Sequence, residues 1–164
     1  MATTYEAIAT VTVGSGGAAD IEFTSIPGTY TDLKVVISAR ASVDDVEIVT
    51  SVNGTALDAG IRLRGNGSTV ASASNARNLA VNNSTATAST FSSGEWYFPN
   101  YTSSNYKSVS MDGATENNAT TAYVSFVAGI RNTTSAITSL KFEILTPSNF
   151  VQYSTATLYG IKNS

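Results

Sequence analysis

Two clusters of carboxylates are the residues whose types and spacing suggest chemistry most directly. Asp44, Asp45 and Glu47 lie at a turn before an apolar stretch, and Asp112 and Glu116 lie around a second turn. Carboxylate oxygens are the ligands that Ca²⁺ takes in proteins. The spacing of the first cluster does not match a calcium-binding loop, however, and acidic residues at strand ends are commonly only solvated. We therefore expect no metal at either cluster, and no cofactor.

Catalysis is restricted by two absences from the composition. The chain contains no histidine and no cysteine. A Ser-His-Asp triad, a Cys-His pair and a thiolate nucleophile are therefore impossible, and the commonest general base near neutral pH is missing. Paired carboxylates could still hydrolyse a glycoside, but no feature of the sequence marks such a pair. The sequence predicts a protein that is not an enzyme.

Aromatic residues are concentrated between positions 96 and 101. Alternate side chains of a strand face opposite sides, so Trp96 and Phe98 are expected to be buried while Tyr97 and Tyr101 face outward. Exposed aromatic rings can stack on a sugar or fill a pocket of a partner protein. Trp96, Tyr97 and Tyr101 are therefore candidate contacts to a partner or a glycan, and core packing is the competing interpretation for most of them.

Length and charge indicate the class of protein. The 164 residues fit a single domain, 1–164. Charged residues make up 13 % of the chain, the net charge is −3, and the nine basic residues are scattered, so we expect no nucleic-acid partner. No apolar run approaches the roughly 18 residues of a membrane span, and the first residues lack the pattern of a secretory signal. We expect no membrane association.

The elements that must position these residues are strands. Apolar and β-branched residues alternate or cluster in ten short windows separated by Gly, Asn and Ser, and no window has helical periodicity. The predicted strands cover residues 5–13, 20–23, 33–39, 46–52, 61–64, 90–97, 106–111, 122–128, 137–144 and 155–161. This rhythm predicts an all-β fold, an antiparallel β-sandwich that is jelly-roll-like. Sandwich edges must be covered, which favours an oligomer.

The segment at about residues 65–93 differs from the rest of the chain. It is dominated by Ser, Thr, Ala and Asn, with Val70, Leu79 and Val81 as its only large aliphatic residues. Long loops without structure are uncommon unless they are functional or disordered. Two interpretations stay open, a loop with one or two weak strands and a flexible arm that contacts a partner.

Three parts of the chain carry a resemblance to a known group of proteins. They are residues 5–10 with 21–33, residues 129–140, and residues 157–162. The most distinctive features are an Ile-Pro-x-x-Tyr-Thr-Asp-Leu turn at 26–33 and the terminal Leu-Tyr-Gly-Ile at 158–161. In combination these stretches resemble small structural proteins of tailed-bacteriophage virions, either capsid decoration (cement) proteins or tail-associated β-sandwich proteins.

The resemblance implies a virion component, assembled in the host cytoplasm, with no catalytic residues. The expected role is a decoration protein that stabilises the head by bridging capsomers, with the major capsid protein and copies of itself, expected as a homotrimer, as partners. The alternative is a tail-fibre or baseplate module that binds a host-surface glycan.

Four of the matching residues are expected to specify the fold and not a site. Pro27 fixes φ at a turn between strands, and Asp32 can accept hydrogen bonds from backbone N–H groups there. Tyr30 leads into the central strand, and Tyr159 is expected to anchor the two sheets to each other.

Overall fold

The chain folds into two antiparallel sheets packed face to face. The computed structural model describes residues 4–44, 46–145 and 148–162. In spatial order the larger sheet contains β1 (Tyr5–Thr12), β13 (Thr155–Ile161), β3 (Asp32–Ala39), β9 (Ser92–Phe98), β10 (Lys107–Glu116), β11 (Ala122–Arg131), β6 (Ala59–Gly65) and β7 (Val70–Ser74). The smaller sheet contains β2 (Asp20–Phe23), β12 (Leu140–Ile144), β4 (Glu47–Val52) and β5 (Thr55–Ala56), with β8 (Leu79–Ala80) paired to β4.

Eight of the strands pair in the nested order of a jelly roll. β1 pairs with β13 and β3 with β9 in the larger sheet, while β2 pairs with β12 and β4 with β5 in the smaller sheet. In chain order, the first of these eight strands pairs with the last, the second with the seventh, the third with the sixth and the fourth with the fifth. The pairs alternate between the two sheets except at the β4–β5 hairpin, which is the jelly-roll arrangement. The predicted all-β antiparallel sandwich is confirmed.

The core lies between these two layers because alternate residues of each strand are apolar. β3 buries every second residue from Leu33 to Ala39, and β12 does so from Leu140 to Ile144. Trp96 of β9 is fully buried, and its ring meets that of Phe142 edge to face at 5.1 Å. Such ring pairs stabilise beyond the area they bury, so β9 and β12 hold the two sheets together.

The larger sheet extends beyond the jelly-roll set. β10, β11, β6 and β7 continue it past β9, whereas the smaller sheet has only β8 on that side. Gly129 of β11 lies so close to Leu57 that an added Cβ would be 2.9 Å from its Cδ1 atom. Leu57, which directly follows β5 of the smaller sheet, therefore covers part of the inner side of this extension.

Residues 65–93 are arranged by contacts with both sheets. They contain β7 and β8. Leu79 is fully buried against Gly94 and Gly113, which face each other on β9 and β10. A Cβ on Gly113 would lie 2.9 Å from Leu79 Cδ2. The two glycines thus create a notch that Leu79 fills, and this contact fixes the middle of the segment to the core.

Two oppositely charged side chains hold the following residues, 82–90. The Arg40 guanidinium donates to the backbone carbonyl oxygens of Ala86, Thr87 and Thr90, at 3.1, 2.6 and 3.1 Å. Glu116 accepts from the Thr87 N–H at 2.6 Å and from the Thr90 hydroxyl at 2.7 Å. These contacts favour the interpretation of this segment as a loop with two strands, and they tie it to β3 and β10.

Candidate interaction surface

Trp96, one of the three aromatic candidates for partner or glycan contact, is not available to a partner. It is 0 % exposed, and its indole Nε1–H donates across the core to the Thr50 hydroxyl at 2.8 Å. Trp96 belongs to β9 and Thr50 to β4, so the hydrogen bond joins the two sheets. The structure therefore gives Trp96 a core role, as the strand alternation had indicated, and removes it from the contact set.

Tyr101 contradicts the expectation that it faces outward. It is 0 % exposed, its hydroxyl donates to the Pro27 carbonyl oxygen, and the Tyr30 N–H donates to that hydroxyl at 3.4 Å. The alternation failed here because β9 ends at Phe98 and the chain then turns, with Asn100 at a positive φ of 46°. Beyond a strand end the two-residue period no longer predicts direction.

Tyr97 is the one residue of this group that lies on the outer face of the larger sheet. It is partly buried and pairs with Lys34 and with Ser110 on the neighbouring strands. Its hydroxyl donates to the Asp32 carboxylate at 2.6 Å, and this bond, together with desolvation, raises the pKa of Tyr97 to about 12. Because Tyr97 is not fully buried, the prediction that it contacts a partner remains a prediction.

Pro27, Tyr30 and Asp32 lie together at one end of the sandwich. The buried Asp32 also accepts the Asn100 N–H at 2.8 Å, so it joins the start of β3 to the turn after β9. The Tyr30 ring lies directly over Gly160, where an added Cβ would come within 2.3 Å of Tyr30 Cγ. Only glycine fits beneath this ring, which gives the Leu-Tyr-Gly-Ile ending a packing reason.

Tyr159 does not anchor one sheet to the other. Leu158 faces the core, so Tyr159, the next residue on the strand, faces outward. Its ring meets that of Tyr5 edge to face at 6.5 Å, on the outer side of β1 and β13. The expectation was wrong because the sequence shows that the residues of β13 alternate but does not show which set faces inward.

Glu116 and Glu47, one residue from each carboxylate cluster, have structural partners. Glu116 accepts four hydrogen bonds from Thr87, Thr90 and Asn118, which lower its pKa to about 2. Glu47 pairs with Arg62. Asp45 lies outside the described residues, and among those that are described no group of three or more acidic, histidine or cysteine side chains could hold a metal.

The outer face of the extension exposes a patch of large apolar side chains. Paired residues on adjacent strands point to the same side of a sheet, and the register brings Leu63 of β6 next to Phe126 of β11. We call this surface the apolar face. Its five large members are 43–75 % exposed: Ile61, Leu63, Val70, Val124 and Phe126. Contiguous exposed apolar patches are often functional, and the strand register places these five side chains on one face of three adjacent strands.

β6 has the opposite orientation to the one its sequence favours. Ile61 and Leu63 alternate with Arg62 and Arg64, and ordinary amphipathic patterning would place the aliphatic pair in the core. In the structure the arginines lie on the inner side, where Arg62 pairs with Val127 and reaches Glu47. The aliphatic side chains are consequently on the outside, where a soluble monomer would place polar ones.

The edge strand next to the apolar face is unprotected. β7 is exposed at all five positions and consists of Val, Ala and Ser. Natural sheets guard their edges with charges, proline or bulges, because unpaired N–H and C=O groups can pair with another chain. β7 has no charged residue and no proline. The apolar face and the β7 edge therefore form one continuous surface suited to contact with protein.

The opposite half of the same outer face is polar. Lys34 and Glu95 form an ion pair at 2.6 Å, and threonine or serine side chains occupy most of the neighbouring positions on β1, β13 and β3. Apart from Tyr5 of β1, the exposed large apolar side chains described on this face lie on β6, β7 and β11. The sequence analysis did not predict this surface. It identified the alternation of aliphatic residues in residues 61–64 and 122–128, but the sequence does not show which of the alternating residues face outward.

The described residues contain no helix long and apolar enough to cross a membrane. Comparisons of the chain with family models, with curated proteins and with solved structures find no match.

Proposed function

We propose that this chain is a structural protein of a phage virion, which acts by adhesion through the apolar face and not by catalysis. The observation that carries the proposal is the exposure of five large apolar side chains beside an unguarded edge strand. The resemblance of residues 5–10, 21–33, 129–140 and 157–162 to tailed-phage structural proteins supports the virion as the location. The proposed role is that of a capsid decoration protein that bridges neighbouring capsomers.

The contact proposed for the apolar face is with another copy of this chain. A standard protein interface buries about 800 Å² on each partner. The apolar face supplies a large part of that area, and pairing of the β7 edge supplies backbone hydrogen bonds that its N–H and C=O groups lack in the single chain. Identical chains usually assemble into closed symmetric oligomers, and the proposed oligomer is the trimer expected from the resemblance to decoration proteins.

The major capsid protein is the second proposed partner. A ring of copies presents the same surface several times to the shell, and linked contacts gain strength from their effective concentration. Surfaces rich in Ser, Thr and Asn rely on hydrogen bonds, which salt screens less than it screens exposed ion pairs. The decoration role therefore requires no strong charge on either partner.

Heat stability of phage heads tests the proposal. Heads assembled with the protein are expected to release their DNA at a higher temperature than heads lacking it. Heads supplied with a Phe126→Asp variant should resemble the bare heads, whereas a Thr12→Asp variant, which places the same charge on exposed β1, should protect like the wild type. Equal release temperatures with and without the wild-type protein would contradict the decoration role.

Two of the three aromatic residues that could contact a glycan in the tail-module alternative are buried. Because Trp96 and Tyr101 are fully buried, Tyr97 is the only member of that set left to meet a glycan. Electron microscopy that places the protein at the tail tip would favour this alternative over the decoration role.

A further inference from the structure

Among the described residues, Arg64 differs from every other basic residue in having no polar partner. All nine basic residues lie in the described ranges, and eight of them form ion pairs or hydrogen bonds there: Lys34, Arg40, Arg62, Arg77, Lys107, Arg131, Lys141 and Lys162. The guanidinium of Arg64 makes no such bond, and its Nε atom is buried without a partner. Its contact is with the face of the Tyr123 ring, 4.6 Å from the centroid.

This arrangement holds the guanidinium in place without neutralising it. A guanidinium has five N–H donors and strongly prefers a bidentate acceptor. Stacking on Tyr123 fixes the plane of the Arg64 group, so a ligand that binds it would cost little side-chain entropy. Partly desolvated charges are normally paired, and the pairing group for Arg64 is absent from the described part of the chain.

Arg64 and Tyr123 border a polar recess of about 160 Å³ on the inner side of the extended sheet. The recess lies between β6 and β11 on one side and β4 and β8 on the other. Its wall carries hydroxyl, amide and carboxylate groups, among them Glu47, Thr85 and Asn117. The wall therefore supplies both donors and acceptors around one free cation.

The charges in the recess favour a ligand with a single negative charge. Glu47 is already paired with Arg62, and Glu116 accepts four hydrogen bonds from the loop and turn beside it. A phosphate or a polyanion would be repelled by these two carboxylates. A polyol with one carboxylate is repelled less than a polyanion, and Arg64 can bind its single acid group while hydroxyl and amide groups of the wall, such as those of Thr85 and Asn117, bind its hydroxyls.

We propose that this recess binds a sugar unit that carries one carboxylate, such as a uronic acid, with Arg64 as the carboxylate-binding residue. The inference is independent of the decoration role and of the apolar face, which lies on the other side of the sheet. It places glycan recognition at β6 and β11 and not at the aromatic segment 96–101.

Amide chemical shifts of the labelled full chain, titrated with D-glucuronate, test the proposal. Glucuronate is expected to shift the amide signals of residues around Arg64, Asn117 and Tyr123, while glucose at the same concentration shifts them at least about tenfold less, the discrimination expected from a charge-assisted hydrogen bond. Absence of a saturable shift with glucuronate would overturn the proposal. Tighter binding than that of glucuronate by N-acetylglutamate α-methylamide, which carries one carboxylate as a glutamate in a peptide does, would also overturn it, because the site would then recognise an acidic peptide.

Two substitutions of Arg64 test whether it is the residue that binds the carboxylate of glucuronate. Arg64→Gln is expected to weaken glucuronate binding at least about tenfold, and Arg64→Lys should also weaken it, because lysine keeps the charge but lacks the bidentate fork. Lys162→Gln removes the same charge from an exposed residue on the far edge of the sheet and should bind like the wild type. Binding that survives in both Arg64 variants, with their spectra otherwise native, would contradict the assignment.

Discussion

Single buried polar groups decide how the loops at one end of the sandwich are held. Tyr101 joins the turn after β9 to the loop before β3 through the Pro27 carbonyl oxygen and the Tyr30 N–H. Asp32 makes a second link through Tyr97 and Asn100. Such hydrogen bonds add little to the free energy of unfolding when both partners can reach water. Removing one partner of a buried pair lowers that free energy substantially, because the other partner stays buried without a hydrogen bond.

Removal of the Tyr101 hydroxyl should therefore destabilise the fold. Tyr101→Phe keeps the ring and leaves the Pro27 carbonyl oxygen without its donor, so we expect a loss of about 1–3 kcal/mol in the free energy of unfolding. Urea denaturation followed by Trp96 fluorescence measures it. Tyr106→Phe is the matched control, because Tyr106 is 61 % exposed; equal stabilities of the two variants would show that the Tyr101 hydroxyl is not needed.

Glu116 should make stability depend on acidic pH. Its four hydrogen bonds lower its pKa from 4.5 to about 2, so the charged form is favoured by folding. The resulting stability is complete above about pH 4.5 and is lost as pH falls towards 2. We expect Glu116→Gln to be less stable than the wild type at pH 7 and nearly equal to it at pH 2. A stability difference that stays constant over this range would contradict the assignment.

At the scale of elements, Leu79 is the most deeply buried aliphatic residue that attaches the segment 65–93 to the core. The notch for this side chain requires glycine at both 94 and 113. Leu79→Ala is expected to lower the free energy of unfolding by about 2–5 kcal/mol, because it leaves a cavity that the sheet cannot close. Val70→Ala, in the exposed β7, serves as the control and should change stability by less than about 0.5 kcal/mol. Similar effects of the two substitutions would mean that Leu79 is not the anchor.

The ten strand windows could be predicted because each has β-branched or aromatic residues bounded by turn residues, and each window overlaps a strand. The sequence did not indicate β5, and it allowed one or two weak strands in residues 65–93 without locating β7 and β8, because these strands are short or consist of small residues whose strand state depends on a neighbour. The sequence also could not predict which side chains of β6 face inward. Their orientation depends on an ion pair between Arg62 and Glu47, fifteen residues apart, and on an extension of the larger sheet that the smaller sheet does not cover.

At the scale of the whole molecule, one sheet face is divided into a polar half and an apolar half. If the apolar face joins copies of the chain, Phe126→Asp should shift the protein towards monomer while its free energy of unfolding changes by less than about 1 kcal/mol. Sedimentation equilibrium of the wild type, Phe126→Asp and the control Thr12→Asp measures this. A wild-type protein that stays monomeric at high concentration would rule out contact between free copies.

The position of the protein in a reconstruction of the virion tests the proposed function most directly. The account predicts density for this jelly roll on the outer surface of the head, with Leu63 and Phe126 buried against a neighbouring copy and the ring spanning a capsomer boundary. Density at the tail tip, or copies on the head whose apolar face points into solvent, would contradict it.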